Sequence, residues 1–305
     1  MTKRAPKNIA ASIRQRLLNA AQASGRPFQE LLQYFAMERF LYRLAQSKHA
    51  ERFVLKGALM FNVWQTPSTR PTKDIDLLGR MPNDIAAVAD VVRDVCREPV
   101  EADGLTFDAD SVTGLVIKED ADYEGVRVTF RGALENVPIP MQIDVGFGDV
   151  VFPAPTTADY PTILDHAAPR LRIYPRETVV AEKFEAMVKL GLLNSRMKDF
   201  HDIWLLARQF AFDGADLAAA LRQTFAHRGT PLTADPTALR PEFAADATKQ
   251  AQWAAFLRKS RLENAPADLA EVTRAIAEFL SAPAAAVVAD RPFTQTWPAG
   301  GTWQG

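Results

Sequence analysis

Apolar residues recur at helical spacing through the first fifty positions. Ile9, Ile13, Leu17 and Ala21 predict one helix. Ser24-Gly25-Arg26-Pro27 breaks it, and Pro27 suits the opening of a second. In that second helix Phe28, Leu31, Leu32, Phe35, Phe40, Leu41 and Leu44 form a broad apolar face, with Arg39 and Arg43 elsewhere on its surface. The pattern changes after His49. Phe53-Val54-Leu55 reads as a short strand, Lys56-Gly57 as a turn, and Ala58 to Gln65 as a short helix. Thr66 to Pro71 is a loop, and Asp74 to Leu78 alternates as a strand does. Asn83 to Arg97 predicts an amphipathic helix. Ser111–Ile117, Gly125–Leu134 and Pro140–Phe147 predict three strands separated by Gly, Asp and Pro turns.

Phe152-Pro153-Ala154-Pro155 reads as a linker, and Leu171–Tyr174 as a last strand. Helical patterns follow at Arg176–Leu190, Ser195–Phe210, Ala215–Ala226, Ala247–Arg261 and Pro266–Leu280. The order of helices, mixed sheet and helices predicts an α+β fold. The expected divisions are N-terminal helices over 1–50, a core over 51–160, a helical domain over 161–282 and a loosely held tail over 283–305.

Composition narrows the class. Hydrophobic residues make up 48% and charged residues 24%, the balance of a globular protein. Cys96 is the single cysteine, which excludes an intrachain disulfide and a cysteine-rich zinc site. No apolar run is long enough to cross a bilayer, so a cytoplasmic protein with no membrane partner is expected. Charge is unevenly spread. Residues 1–56 hold 11 Lys and Arg against 3 Asp and Glu, and residues 74–150 hold 6 against 17. A metal site beside a phosphate-attracting arm would have this pattern, and so would basic helices and acidic loops that neutralise each other.

The sharpest local feature is Asp74-Ile75-Asp76. Residues two apart on a strand share a face, so both carboxylates project together. Paired acids of this kind hold Mg²⁺, which takes few protein carboxylates and fills its shell from substrate phosphates. Paired acids on a strand are also common without a metal. Asp144 lies within Met141-Gln142-Ile143-Asp144-Val145, and a buried carboxylate there needs a cation or hydrogen-bond donors. Either it joins Asp74 and Asp76 as a third metal ligand, or it caps a turn or pairs with an arginine such as Arg127. The turn Lys56-Gly57-Ala58 could present backbone N–H groups to a phosphate. Lys183, Arg196, Lys198, Asp199 and Asp202 occupy two predicted helices. They could hold triphosphate oxygens and orient them, or form ordinary intrahelical pairs on an exposed face, as Lys198 and Asp202 could at i,i+4. His49, His166, His201 and His227 show no ligand spacing, and no GxSxG, P-loop or GxGxxG element is present.

Together these segments resemble a known family. Phe53-Val54-Leu55-Lys56-Gly57-Ala58-Leu59 followed by Arg70-Pro71-Thr72-Lys73-Asp74-Ile75-Asp76-Leu77 is similar to the first signature of the AbiEii/AbiGii nucleotidyltransferase toxins. Glu182-Lys183-Phe184-Glu185-Ala186 and Asn194-Ser195-Arg196-Met197-Lys198-Asp199-Phe200-His201-Asp202-Ile203-Trp204 resemble its helical signatures. The resemblance spans roughly residues 8 to 230. It implies a polymerase-β-like nucleotidyltransferase core with a mixed sheet, preceded by N-terminal helices and followed by a helical C-terminal domain. It implies an enzyme that uses Mg²⁺ (or Mn²⁺) and an NTP substrate to modify RNA, with the tRNA 3′ end first among acceptors. It further implies a cognate winged-helix, AbiEi-like antitoxin in a toxin–antitoxin or abortive-infection system.

By position, Asp74 and Asp76 match the family metal ligands, Asp144 fits the third carboxylate, and Lys183, Lys198, Asp199 and Asp202 match the essential helical residues. Lys56, Gly57, Ala58, Lys183, Arg196 and Lys198 are the candidate nucleotide contacts. One departure stands out. Gly57-Ala58-Leu59 lacks the hydroxyl that many relatives place there. A protein or small-molecule acceptor, or a catalytically silent binding partner with the same fold, are the competing readings. Lys183→Ala is expected to leave folding intact and abolish transfer.

Overall fold

In the computed structural model, described over residues 8–66, 70–120, 123–262 and 264–305, the alternating segments of the first half assemble into one mixed sheet. Its elements are α1 (Ile9–Ser24), α2 (Phe28–Gln46), β1 (Phe53–Lys56), α3 (Met60–Val63), β2 (Ile75–Gly79), α4 (Ile85–Cys96), β3 (Leu105–Asp120), β4 (Tyr123–Leu134), β5 (Val137–Phe147), β6 (Thr156–Asp159) and β7 (Arg170–Ile173). The strand order is β3-β4-β5-β2-β1-β7-β6. β3, β4 and β5 form an antiparallel meander, as their short polar turns require. β2 runs parallel to β5 and antiparallel to β1, and β1 runs parallel to β7.

The apolar positions of α1 and α2 enter the same core as the sheet: Leu17, Phe35, Phe40 and Leu41 pack in one cluster with Ile75, Val128 and Ile143. The N-terminal helices are therefore part of the sheet unit, which comprises the described residues through Gln65, Pro71–Gly148 and Thr156–Ile173. Arg39 and Arg43, expected away from the apolar face, are buried. Arg43 forks onto Asp103 with contacts of 2.6 and 3.0 Å, and Arg39 reaches the same carboxylate at 3.2 Å. Burial pushes the Asp103 carboxyl upward, but these guanidinium groups override it and hold the group below its usual range. Such an ion triad is tolerated inside because every charge has a partner.

The second unit comprises Thr66 and Arg70, Asp149–Pro155 and Tyr174–Gly305. It holds α5 (Arg176–Leu190), α6 (Met197–Gln209), β8 (Phe212–Asp213), α7 (Gly214–Arg228), α8 (Pro241–Ala245), α9 (Ala247–Ser260), α10 (Leu269–Val288) and β9 (Thr296–Trp297). Aspartates open its later helices: the side chains of Asp213, Asp246 and Asp268 accept backbone N–H bonds at the starts of α7, α9 and α10. The proline-rich linker is pinned rather than free, because the Phe152 N–H donates to Thr178 Oγ1 and the Thr178 hydroxyl donates to the Phe152 carbonyl.

The segment from Pro283 is tied to the helices through its tryptophans. Pro283 lies inside α10, where it has no N–H to give the carbonyl of Phe279. The indole of Trp303 donates to that carbonyl instead, at 2.8 Å. Trp297 does the same for the Ala207 carbonyl at the end of α6, at 2.7 Å. Trp297 and Trp303 also pack against Phe279. Two orphan helix carbonyls thus fix the segment that composition alone marks as loose. Trp303→Phe keeps the ring but removes the donor. It should cost about 0.5–1.5 kcal/mol, the net worth of a part-buried hydrogen bond, read as a lower midpoint in urea unfolding with unchanged slope.

Candidate active site

The parallel pairing of β2 and β5 sets Ile75 beside Ile143 and Asp76 beside Asp144. The isoleucines are buried in the core, and the aspartates emerge on the other face. Asp74 stands just before β2 on that same side. One carboxylate oxygen from each of Asp74, Asp76 and Asp144 lies within 4.8 Å of the other two. The convergence expected from the sequence is therefore present.

Three anions this close repel one another, and the surrounding residues answer that repulsion. Arg127 stands opposite Asp144 on β4 and forks onto it, Nε to Oδ1 at 2.8 Å and Nη2 to Oδ2 at 2.7 Å. Those hydrogen bonds raise the Arg127 pKa, and Asp74 and Asp76 add to the attraction. The Gln142 amide also reaches both Asp144 oxygens, at 3.3 and 3.4 Å. The Thr72 hydroxyl donates to Asp74. Lys56, on β1, is paired in register with Asp76 and is buried. Asp144 thus lies beside Asp74 and Asp76 and is at the same time gripped by Arg127.

Gly57 follows at φ +73°, a left-handed conformation that favours glycine. A Cβ on it would fall inside the Asp76 carboxylate. The glycine is required here first to leave room for that carboxylate, whatever its N–H also meets. Ala58 is buried.

The helical unit carries the second cluster. Lys183 Nζ lies 2.6 Å from Asp199 Oδ1 and 3.0 Å from Asp202 Oδ2. Arg196 pairs with Asp199 at 2.9 Å, and Arg70 with Asp202 at 3.2 Å. Both carboxylates are buried, so an exposed intrahelical ladder is not what forms; Asp202 joins Arg70 and Lys183 rather than Lys198. Burial pushes both carboxyls up, but Lys183 with Arg196 on Asp199, and Arg70 with Lys183 on Asp202, override it. The Asp199 pKa is lowered, and that of Asp202 falls well below the usual range. Lys198 is exposed as a residue, yet desolvation of its ammonium, followed by the charge of Lys183, lowers its pKa.

Reasoning from sequence missed Thr72, Gln142 and Arg70. Thr72 had a usable signal, since it lies two residues before Asp74 on extended backbone. Within the basic first segment, Arg39 and Arg43 serve Asp103 and Arg16 meets Asp165. The start of the basic arm, residues 1–7, lies outside the described residues.

The family model "Nucleotidyl transferase AbiEii toxin, Type IV TA system" matches residues 39–282. The chain belongs to this family of nucleotidyltransferase toxins, and a type IV toxin–antitoxin system implies an antitoxin partner. Transfer in the family draws on an NTP and a divalent metal, for which the acidic triad supplies an oxygen-only donor set. Two Helicobacter pylori structures are distantly similar. One, described as a candidate nucleotidyltransferase, shares 15% identity and a TM-score of 0.46, covering 86% of this chain and 96% of that one. The other, JHP933, shares 15% identity and a TM-score of 0.45, covering 86% and 93%. No curated protein matches the chain. No helix among the described residues is long and apolar enough to cross a membrane.

Lys183 neutralises two buried carboxylates, so its loss bears on stability as well as on transfer. Lys183→Met should lower stability by about 3–5 kcal/mol in chemical denaturation. The acid limb has a defined sign. Asp199 and Asp202 have folded pKa values below their unfolded ones, so on acidification the unfolded chain binds protons first. Their stabilisation is complete above roughly pH 4 and is lost as pH falls further, a slope that Lys183→Met should flatten. Gly57→Ala should displace Asp76 and cut transfer, with about 1–2 kcal/mol of backbone strain and the clash with Asp76 added to it; activity and thermal melting report the two effects.

Proposed function

We propose that the chain transfers a nucleotide from an NTP to an RNA acceptor, with the tRNA 3′ end as the leading candidate, and so halts translation. The observation that carries this reading is the convergence of Asp74, Asp76 and Asp144 on one sheet face. Carboxylate oxygens alone suit Mg²⁺ or Mn²⁺. A divalent ion held by Asp74, Asp76 and Asp144 would neutralise charge on the reacting phosphate. An acceptor hydroxyl oxygen forms a bond to the NTP α-phosphorus, and the bond from that phosphorus to the bridging oxygen breaks. Pyrophosphate leaves with the electron pair, and the hydroxyl proton passes to solvent. Gly57 and Ala58 are assigned to the triphosphate through backbone N–H groups, with Lys56 beside them. This answers the missing hydroxyl of the motif. In the helical unit, Arg196, held by Asp199, and Lys198 are assigned to phosphate, with Lys183 neutralising Asp199 and Asp202 beside them. The antitoxin is proposed to be a winged-helix protein, on the resemblance alone.

Incubation with α-labelled NTPs, Mg²⁺ and either total RNA or total protein tests the acceptor class. Label should enter RNA and require the metal, and Asp76→Ala should reduce it by on the order of a hundredfold or more. Label confined to protein would replace the RNA reading. Growth arrest that is equal for wild type and Asp76→Ala would mean that toxicity bypasses this site.

A further inference from the structure

A cleft of about 600 Å³ opens on the sheet unit, with Lys73, Ser111, Thr129, Arg131, Pro140 and Gln142 among its walls. It starts where the acidic triad ends. Gln142 precedes Asp144 by two residues on β5 and touches both its oxygens. Thr129 is paired with Gln142 across β4 and β5. Lys73 directly precedes Asp74. We propose that this cleft seats the last nucleotide of the RNA acceptor, an inference that rests on the RNA-transfer reading above.

The order of strands supports it. Relative to the β2–β5 pair that carries Asp76 and Asp144, the Gly57 turn follows β1 on one flank; the cleft is walled by β3 and β4 on the other flank and reaches the Lys73 and Gln142 end of the pair itself. In phosphoryl transfer the entering and leaving oxygens are roughly in line, on opposite sides of phosphorus. With the triphosphate on the Gly57 flank, the β4 flank is the one from which a hydroxyl enters.

The lining suits a nucleotide at the end of a strand. The Lys73 ammonium makes no ion pair among the described residues, and Arg131 holds only the rim contact to Asp108, at 2.8 Å. Lys73 is available to a backbone phosphate, and Arg131 could meet one by sharing or leaving its exposed contact with Asp108. Thr129 and the Gln142 amide offer hydroxyl and amide groups to ribose and base edges, and Pro140 gives an exposed apolar surface for a base face. A volume of about 600 Å³ is in the range of pockets that take a ligand of this size.

The test uses the full chain and a single-stranded oligoribonucleotide of mixed sequence, fluorescein-labelled at its 5′ end, with 4-thiouridine as its 3′-terminal residue. Ultraviolet crosslinking of wild type should map, by mass spectrometry, to peptides that line the cleft. Lys73→Ala and Arg131→Ala, both at exposed positions, should each weaken oligonucleotide binding and lower the slope of log K against log salt by about 1, with NTP affinity retained. The wild-type crosslink depends on no variant folding. A terminus that crosslinks elsewhere, in a chain that does label RNA, overturns the subsite alone. An azido-NTP that crosslinks in the cleft assigns it to the NTP and also overturns the subsite. A chain that labels no RNA in the transfer assay overturns the RNA reading and the subsite together.

Discussion

The sheet unit is organised around mutual repulsion among three carboxylates held at neighbouring positions. Parallel pairing of β2 and β5 fixes Asp76 beside Asp144, and Asp74 joins them from the end of the preceding loop. The isoleucines between them keep this register, because a one-residue slip would send apolar groups outward and charge into the core. Arg127, Gln142 and Thr72 each donate to one of the acids, and Gly57 yields the space that Asp76 fills. The same crowding that makes the cluster unfavourable alone makes it receptive to a cation.

The helical unit solves a related problem differently. Asp199 and Asp202 are buried, and their charges are met from three places in the chain: Arg70, Lys183 and Arg196. Arg70 lies more than a hundred residues before the carboxylate it meets, so a sequence-distant segment fastens α6. A second buried hub repeats the arrangement with opposite sign: Arg228 gathers Asp149 and Glu185 at 3.0 Å each, with Glu182 farther off at 3.8 Å. Interior charges of this kind contribute little net stability against apolar packing, but they hold side chains in one geometry.

Much of this was legible in the residues. The period-two pattern exposed the Asp74 and Asp76 pair, and Asp144 betrayed itself as a charge within an apolar strand. Arg176–Leu190 was bounded by Pro175 and Gly191, and α5 has those limits. Other features required three dimensions. Arg39 and Arg43 look like surface cations until Asp103, some sixty residues away, comes under them. β6 is a four-residue strand of mostly exposed residues, without the apolar alternation that marks the others. Pro283 is a helix breaker by local rules, and only Trp303 explains why α10 continues past it. In each case a distant partner overrides a local preference, and nothing in the local pattern names that partner.

The way Trp297 and Trp303 complete α6 and α10 also bears on how the helical unit forms. Helical proteins commonly fold fast because their contacts are short in sequence. Here the last turn of α6 awaits an indole 90 positions further on. That closure carries the loop entropy usually associated with β-topologies. The returning segment therefore adds a long-range closure to helices otherwise packed on one another, and part of the unit's cohesion rests on its last residues.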